Sequence, residues 1–186
     1  MARAPVDPPE LPAQVTLSPM RRRHVRDVLA IERVVYPRPW SAALFFSELA
    51  QRTTRHYLVA HHGRSLVGYG GLMCHLDEGH ITTLAVRPEF QHRKVGSRVL
   101  LALVEEARSR PVRSLALEVR VANWPAQRLY SWFGFRPVGV RKNYYAEINE
   151  DALVMWAHDI DQPAFVARLR GIDDDIDAVD QTAGEQ

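Results

Sequence analysis

Leu84 to Ser97 reads LAVRPEFQHRKVGS, and the order of residue types in it sets the architecture. The apolar end of a strand enters a short polar loop after Pro88. That loop opens into a helix over Gly96 to Arg108, where Val99, Leu100, Leu103, Val104 and Ala107 recur at helical spacing. A strand that turns straight into a helix presents several backbone amides without partners. The helix dipole makes the point attractive to an anion, and Arg93 and Lys94 add two positive charges. A diphosphate fits such a junction. So, on spacing alone, does an ordinary strand-to-helix turn carrying solvated bases.

Downstream, Ser114 to Val119 predicts a strand, which closes a strand, loop, helix, strand unit. Pro125 stands at the start of a further helix, Ala126 to Trp132 lie within it and Gly134 falls just past its end. Two final strands are expected near Phe135 to Val140 and Ala152 to His158. Upstream, His56 to Ala60 and Leu66 to Cys74 flank a turn at His62, Gly63 and Arg64. Ile81 to Val86 follows a turn at Asp77 to Gly79, and together these read as an antiparallel meander. Farther back, Ser18 and Pro19 read as the cap and first position of a helix reaching about Tyr36. Val25, Val28, Leu29, Glu32 and Val35 form its stripe, Ile31 lies off it, and Pro37 and Pro39 end it. Ser41 caps a second helix through about Gln51, with Leu44, Phe45 and Leu49 as the buried face.

The chain of 186 residues, 46% apolar and 25% charged, can bury one ordinary core. A net charge of +2 argues against a whole surface built for nucleic acid. The charge is segregated: Val15 to Ile160 carries net +8, and Asp161 to Gln186 net −5. A single cysteine, Cys74, excludes an internal disulfide or a multi-thiolate zinc site, and no apolar run reaches the length of a membrane span, so a cytoplasmic setting is expected. His61 and His62 are adjacent on a strand and face opposite ways, so no metal site is expected. Residues 1–14, with Pro5, Pro8, Pro9 and Pro12, read as a disordered leader. Residues 15–160 read as the folded domain, and residues 161–186 as a flexible acidic tail: a short helix over Ala164 to Leu169, then Asp173, Asp174, Asp175, Asp177 and Asp180 in solvent.

Gln91, Arg93 and Gly96 in QHRKVG resemble the acetyl-coenzyme A loop of the GNAT acetyltransferase superfamily, whose pattern is Arg or Gln, two residues, Gly, one residue, then Gly or Ala. Lys94 stands where that pattern has its first glycine. If the position needs a positive φ, a side chain there costs on the order of 1–2 kcal/mol. A second resemblance lies in NWPAQRLYSWFGF after the strand LALEVR, carried by Asn123, Ala126, Leu129, Tyr130, Gly134 and Phe135. With Trp40-Ser41 and Asn143-Tyr144-Tyr145 added, the chain resembles the ribosomal-protein-alanine N-acetyltransferases over about Val15 to Ile160.

That resemblance implies an α/β (α+β) single domain: a mixed, mostly antiparallel sheet of about seven strands, flanked by about four helices and splayed in the middle to admit the cofactor. It implies acetyl-CoA as acetyl donor, contacted by Leu84, Ala85, Val86, Gln91, His92, Arg93, Lys94, Val95, Gly96, Ser97, Asn123 and Tyr130. The acceptor implied is the N-terminal alanine of a ribosomal protein, attacking directly, with the enzyme a monomer. Such a reaction needs a neutral amine. An α-amine titrates near 7.7–8.0 and lysine near 10.4, a difference of roughly 3–4 kcal/mol at neutral pH. Glu118 occupies the general-base position of the subgroup, and partial burial is expected to raise its pKa; pairing with Arg120 or another arginine is the alternative. Tyr130 stands where the family has its general acid, or is a core tyrosine. A backbone amide in Leu84 to Val86 is the expected oxyanion donor. Asn123 contacts the cofactor arm, caps a helix, or does both. Tyr36, Trp40, Tyr144 and Tyr145 either wall the peptide channel or pack at a surface edge.

Three other activities compete. One is acetylation of a lysine or small amine. Another is an RNA-contacting or ribosome-docking module, since 22 of the 24 bases are arginine, although no recognition motif accompanies them. The third is a cofactor sensor without catalysis.

Overall fold

The computed structural model describes residues 14–183, so the expectation for the proline-rich leader lies, Gln14 apart, outside the described residues. Seven strands form one sheet: β1 (Val15–Pro19), β2 (Arg55–His62), β3 (Ser65–His75), β4 (Glu78–Val86), β5 (Ser114–Arg120), β6 (Arg136–Tyr145) and β7 (Glu150–Ala157), in the spatial order β1-β2-β3-β4-β5-β7-β6. Five α-helices accompany it: α1 (Val25–Val35), α2 (Ala42–Ala50), α3 (Val95–Arg108), α4 (Trp124–Trp132) and α5 (Pro163–Ala183). Among the described residues no helix is long and apolar enough to cross a membrane.

Every neighbouring pair is antiparallel except β4 and β5. Those two run parallel and pair only at Glu78–Ser114, Gly79–Leu115 and His80–Ala116. Beyond His80 they part. The cause lies one pair farther along β4: Gly71 of β3 faces Thr83 and Leu72 faces Ile81, so Thr82 is an extra residue. Such a bulge bends its strand and sharpens the twist. The side of β4 from Ile81 to Val86 that would have met β5 has no strand partner.

Two apolar clusters lie on opposite faces of the sheet. One packs Val28 and Ile31 of α1 and Phe45 of α2 on Val59, Tyr69 and Ala85. The other packs Val99, Leu100 and Leu103 of α3, Phe133 and residues of α5 on Leu115, Leu117 and Met155. Gly70 lets α3 lie close to β3, because a Cβ there would come within 2.7 Å of Val99 Cγ1.

Several expectations are corrected. Ser18 and Pro19 belong to β1, opposite Val59 and Leu58, and Met20 N–H donates to the Tyr57 carbonyl at 2.8 Å. Edge pairing outweighs the capping signal here, and a proline is tolerated at an edge. A 3-10 turn over Arg22–His24 then leads into α1. Ile31 is buried rather than off the stripe, while Leu44 is 40% exposed. The acidic tail is not a solvated appendage after a six-residue helix. It forms the 21-residue α5, and Phe165, Leu169, Ile172 and Ile176 are all buried in the second cluster.

Candidate active site

The unpaired side of β4 forms one wall of a cleft. Tyr36 Oη donates to the Leu84 carbonyl at 2.8 Å, and Gln91 Nε2 donates to the Val86 carbonyl at 3.2 Å. Arg87 N–H points the other way, to the Val67 carbonyl of β3 at 2.8 Å. Because backbone groups alternate sides along a strand, the amides of Leu84 and Val86 face the cleft with their carbonyls. That is an open strand edge, able to pair with an extended chain.

At its far end the cleft meets the first turn of α3. Lys94 is the N-cap residue, in the left-handed region at φ 59°, and its side chain makes no capping hydrogen bond. The loop therefore takes the positive-φ turn despite its lysine, and His92 does the same at φ 61°. Lys94 Nζ lies over the Trp132 ring, 4.4 Å from its centre, an attraction worth about 0.5–1 kcal/mol at an exposed site that offsets part of the strain. Among the described residues no capping side chain occupies the first-turn amides of α3.

Leu84, Ala85, Val86, Gln91, His92, Lys94, Gly96, Ser97, Asn123 and Tyr130 line one cavity of about 410 Å³, closed by Ala126 and Leu129 of α4. Its apolar walls and exposed amides suit an amide-bearing aliphatic arm ending in a diphosphate. A Cβ on Gly96 would meet Val86 and Leu129 at 3.6 and 3.7 Å, ordinary contacts, so the fold tolerates a side chain there and the bare position leaves room in the cavity. Two residues of the expected set depart from it. The Val95 side chain is 1% exposed in the core, so only its backbone can reach the cavity. Arg93 does not line the cavity and stacks on Phe90, 5.5 Å from the ring centre. Asn123 caps α4, accepting from Ala126 N–H at 3.2 Å, while still lining the cavity.

Leu84 and Tyr130 continue into two smaller cavities on the other side of the splay, of about 120 and 220 Å³. The larger brings together Tyr36, Trp40, Tyr144 and Tyr145 with Glu118 and Tyr130. Elements far apart in sequence converge there. Glu32 of α1, buried and with its pKa raised by that burial, accepts from Trp40 N–H at 2.7 Å and from the Tyr69 hydroxyl, which fixes the α1–α2 connection above the cleft. Arg38 of the same connection pairs with Glu147 between β6 and β7.

Glu118 points to this face, as do Ala116 and its parallel partner His80. His80 Nε2 lies 2.8 Å from Glu118 Oε2, and Arg141 Nη1 lies 3.0 Å from Oε1. Burial was expected to raise the carboxyl pKa. The hydrogen bond from His80 outweighs burial and, aided by the charges of His80 and Arg141, holds it below the usual carboxylate range. Arg120 pairs with Glu150 instead, at 3.7 Å. His80 is not among the residues expected at the site, because it falls between the expected turn at Asp77 to Gly79 and the expected strand from Ile81. A strand begun at Glu78 would have placed it on the Thr82 side of the sheet.

Tyr130 is 7% exposed, and among the described residues its hydroxyl has no hydrogen-bond partner. Burial, then Tyr36 and Tyr145, push its pKa above that of an ordinary phenol, so the group stays protonated and has a proton to donate. Tyr145 is pushed up to about 12, chiefly by burial. Among the described residues no cluster of three His, Cys, Asp or Glu side chains could hold a metal ion.

The chain is similar to known proteins over most of its length. A provisionally named ribosomal protein bS18-alanine N-acetyltransferase of Bacillus subtilis is 40% identical over 74% of this chain and 91% of its own. The ribosomal protein bS18-alanine N-acetyltransferase of Salmonella typhimurium is 35% identical over 67% of this chain and 84% of its own. The crystal structure of the Escherichia coli ribosomal-protein-S18-alanine N-acetyltransferase superposes with a TM-score of 0.72 at 28% identity, covering 78% of this chain and 94% of the other. The model of the acetyltransferase (GNAT) family matches residues 25–135, across α1, the splayed strands, the Lys94 loop and α4. With the open β4 edge and the amide-lined turn after it, this places the chain in the GNAT family of acetyl-CoA-dependent acetyltransferases.

Proposed function

We propose that this enzyme acetylates the α-amine of a protein beginning with alanine, by similarity ribosomal protein bS18, and that it works as a cytoplasmic monomer. The observation that carries the reading is Glu118, held by His80 at 2.8 Å in the aromatic cavity of Tyr36, Trp40, Tyr144 and Tyr145, which meets the cavity along β4 at Leu84 and Tyr130. The names of the Salmonella and Escherichia coli relatives support the choice of acceptor.

The cavity along β4 and the first turn of α3 fit acetyl-CoA, with the free amides of α3 toward its diphosphate and Gly96, Leu84 and Leu129 along its arm. When bound, acetyl-CoA supplies a thioester carbonyl carbon to the nucleophile. The amides of Leu84 and Val86 donate to the negative charge that grows on the carbonyl oxygen. Tyr130, protonated at any working pH, gives a proton to the departing sulfur. Glu118, held in place by His80, accepts the proton lost by the amine, directly or through a water.

Glu118 with a lowered pKa is a weak base, which matches an α-amine better than a lysine. The α-amine is already partly neutral near pH 7, whereas a lysine would need roughly 3–4 kcal/mol more for deprotonation. A pair of peptides tests the assignment: one starting with free alanine and lacking lysine, the other blocked at its terminus with an internal lysine. Acetyl transfer to the first alone is expected. Faster turnover of the blocked peptide would overturn the assignment.

A further inference from the structure

A second concave site lies away from the splay, at the β1–β2 edge of the sheet. A cavity of about 600 Å³ is lined by Arg21, Arg22, Arg23, Arg52 and Arg55, with no acidic residue in its lining. Four of these arginines are exposed, and among the described residues Arg21, Arg22, Arg23 and Arg52 make no ion pair. The carboxylates behind the cavity are already engaged: Glu48 holds Arg55 at 2.8 Å and accepts from Tyr57, and Glu106 holds His56 and Arg110 at 3.2 and 3.0 Å.

The placement of this charge costs the isolated protein stability. Arg21 to Arg23 stand at the start of the 3-10 turn that feeds α1, and the turn has no acid in its own first turn. The start of a helix is its positive end, where carboxylates stabilise and cations do not. His24 in the same turn registers the field. Its pKa is lowered by burial first, then by Arg23, His61 and Arg21, against an opposing contribution from Asp27. An anion in the cavity would reverse the cost. Two of the guanidinium groups are also already held in place: Arg22 lies over Phe46, 4.8 Å from the ring centre, and Arg23 Nε is 3.1 Å from His24 Nε2.

The character of the surface selects the partner. Of the apolar residues of the cavity, Met20 and Tyr57 are buried, Leu49 is half-buried and Pro19 is exposed, and none of the large exposed apolar side chains of the protein lines it. A protein interface of useful strength needs an aromatic or aliphatic anchor at its centre, and a membrane-binding surface needs apolar side chains to insert. This cavity has no large exposed apolar side chain for either role. It offers guanidinium forks in a concave setting, the chemistry that grips phosphodiester oxygens along a strand.

We propose that this arginine-lined cavity binds the phosphate backbone of RNA. Arg55 also lines a neighbouring cavity of about 560 Å³ that extends across the open sheet face to His80 and Glu118. RNA held at the β1–β2 edge therefore leaves the cleft free and lies beside the approach to it. The site is independent of which amine the cleft acetylates.

The test uses the full chain and a fluorescein-labelled single-stranded 20-mer RNA of mixed sequence, followed by polarisation across a salt series. Four phosphate contacts give a slope of log affinity against log salt of about −3 for a single strand. In the variant Arg21→Glu/Arg22→Glu/Arg23→Glu/Arg52→Glu, and in the milder Arg22→Gln/Arg52→Gln, RNA affinity is expected to fall by about tenfold or more with a shallower slope. Acetylation of a short peptide should stay at the parent rate in both, which reports that the fold is intact. Absence of RNA binding at low salt, or undiminished binding by the active milder variant and its charge-reversed counterpart, would overturn the proposal. So would competition by polyglutamate as strong as that by unlabelled RNA, because the surface would then be one for acidic polypeptides.

Discussion

The loop side of the splay is built from backbone, and the carboxylate side from side chains. On the first, one continuous segment runs from the free edge of β4 through the left-handed turn at Lys94 into α3, and its useful groups are amides. On the second, Tyr36, Trp40, His80, Glu118, Tyr130 and Tyr145 come from five elements or connections and meet only in the folded chain. The first side tolerates changes in side-chain identity provided the turn is kept, as Lys94 illustrates. The second depends on individual functional groups, so single substitutions should separate the two.

The largest effect is expected on the carboxylate side. Glu118→Gln keeps the shape and His80 in place but removes the charge, and kcat/KM should fall by about 100-fold or more. A steady-state assay at pH 7 checks this, and a parent rate in the variant would remove Glu118 from the chemistry. Tyr130→Phe removes only a hydroxyl without an internal partner. It should cost about 100-fold in kcat while KM for acetyl-CoA stays within about twofold. If KM rises and kcat holds, Tyr130 belongs with binding.

The pH profile sharpens the same contrast. Because the Glu118 carboxyl is held low by His80 and Arg141, it is ionised throughout the neutral range and contributes no rate limb there. The rate on an alanine peptide should rise with pH and level off near the α-amine value of about 7.7–8.0. A limb that shifts on Glu118→Gln would contradict this. The same lowered pKa makes a statement about stability. The pairing with His80 stabilises the fold at pH values above the unfolded carboxyl range, and the contribution is lost as pH falls through the lower folded value. Denaturant midpoints of the parent and Glu118→Gln should therefore converge on acidification.

On the loop side the effects are smaller. Gly96→Leu should fill the cavity and raise KM for acetyl-CoA about tenfold with little change in Tm, since the contacts a Cβ would make are ordinary. Lys94→Gly removes strain of on the order of 1–2 kcal/mol. It also loses the Trp132 contact and gains unfolded-chain entropy, so stability should change by no more than about 1 kcal/mol. Thermal denaturation measures the net. A drop of several degrees would mean that the loop needs its lysine.

The same division explains what could be read from the sequence. The strand, loop and helix of Leu84 to Ser97 were legible because periodicity, polarity and helix-start signals agree over one short segment. The splay was expected only through the family resemblance, because the bulge at Thr82 leaves no mark in residue type. His80 was hidden by a strand that starts three residues before its first apolar run. Glu118 was legible as the one charge amid apolar strand residues, but the direction of its pKa was not, since that depends on His80 and Arg141 arriving from β4 and β6. In α5 the spacing of Phe165, Leu169, Ile172 and Ile176 is that of a helix face, and the aspartates between them disguise it.

Residue-resolved amide exchange with and without coenzyme A is the most direct test of the central claim, that the unpaired edge of β4 and the first turn of α3 grip the cofactor together. The amides of Leu84, Val86, Gly96 and Ser97 should slow on binding, while those of Ala85 and Arg87, which face β3, should change little. Protection elsewhere, with Leu84 and Val86 exchanging as before, would contradict it.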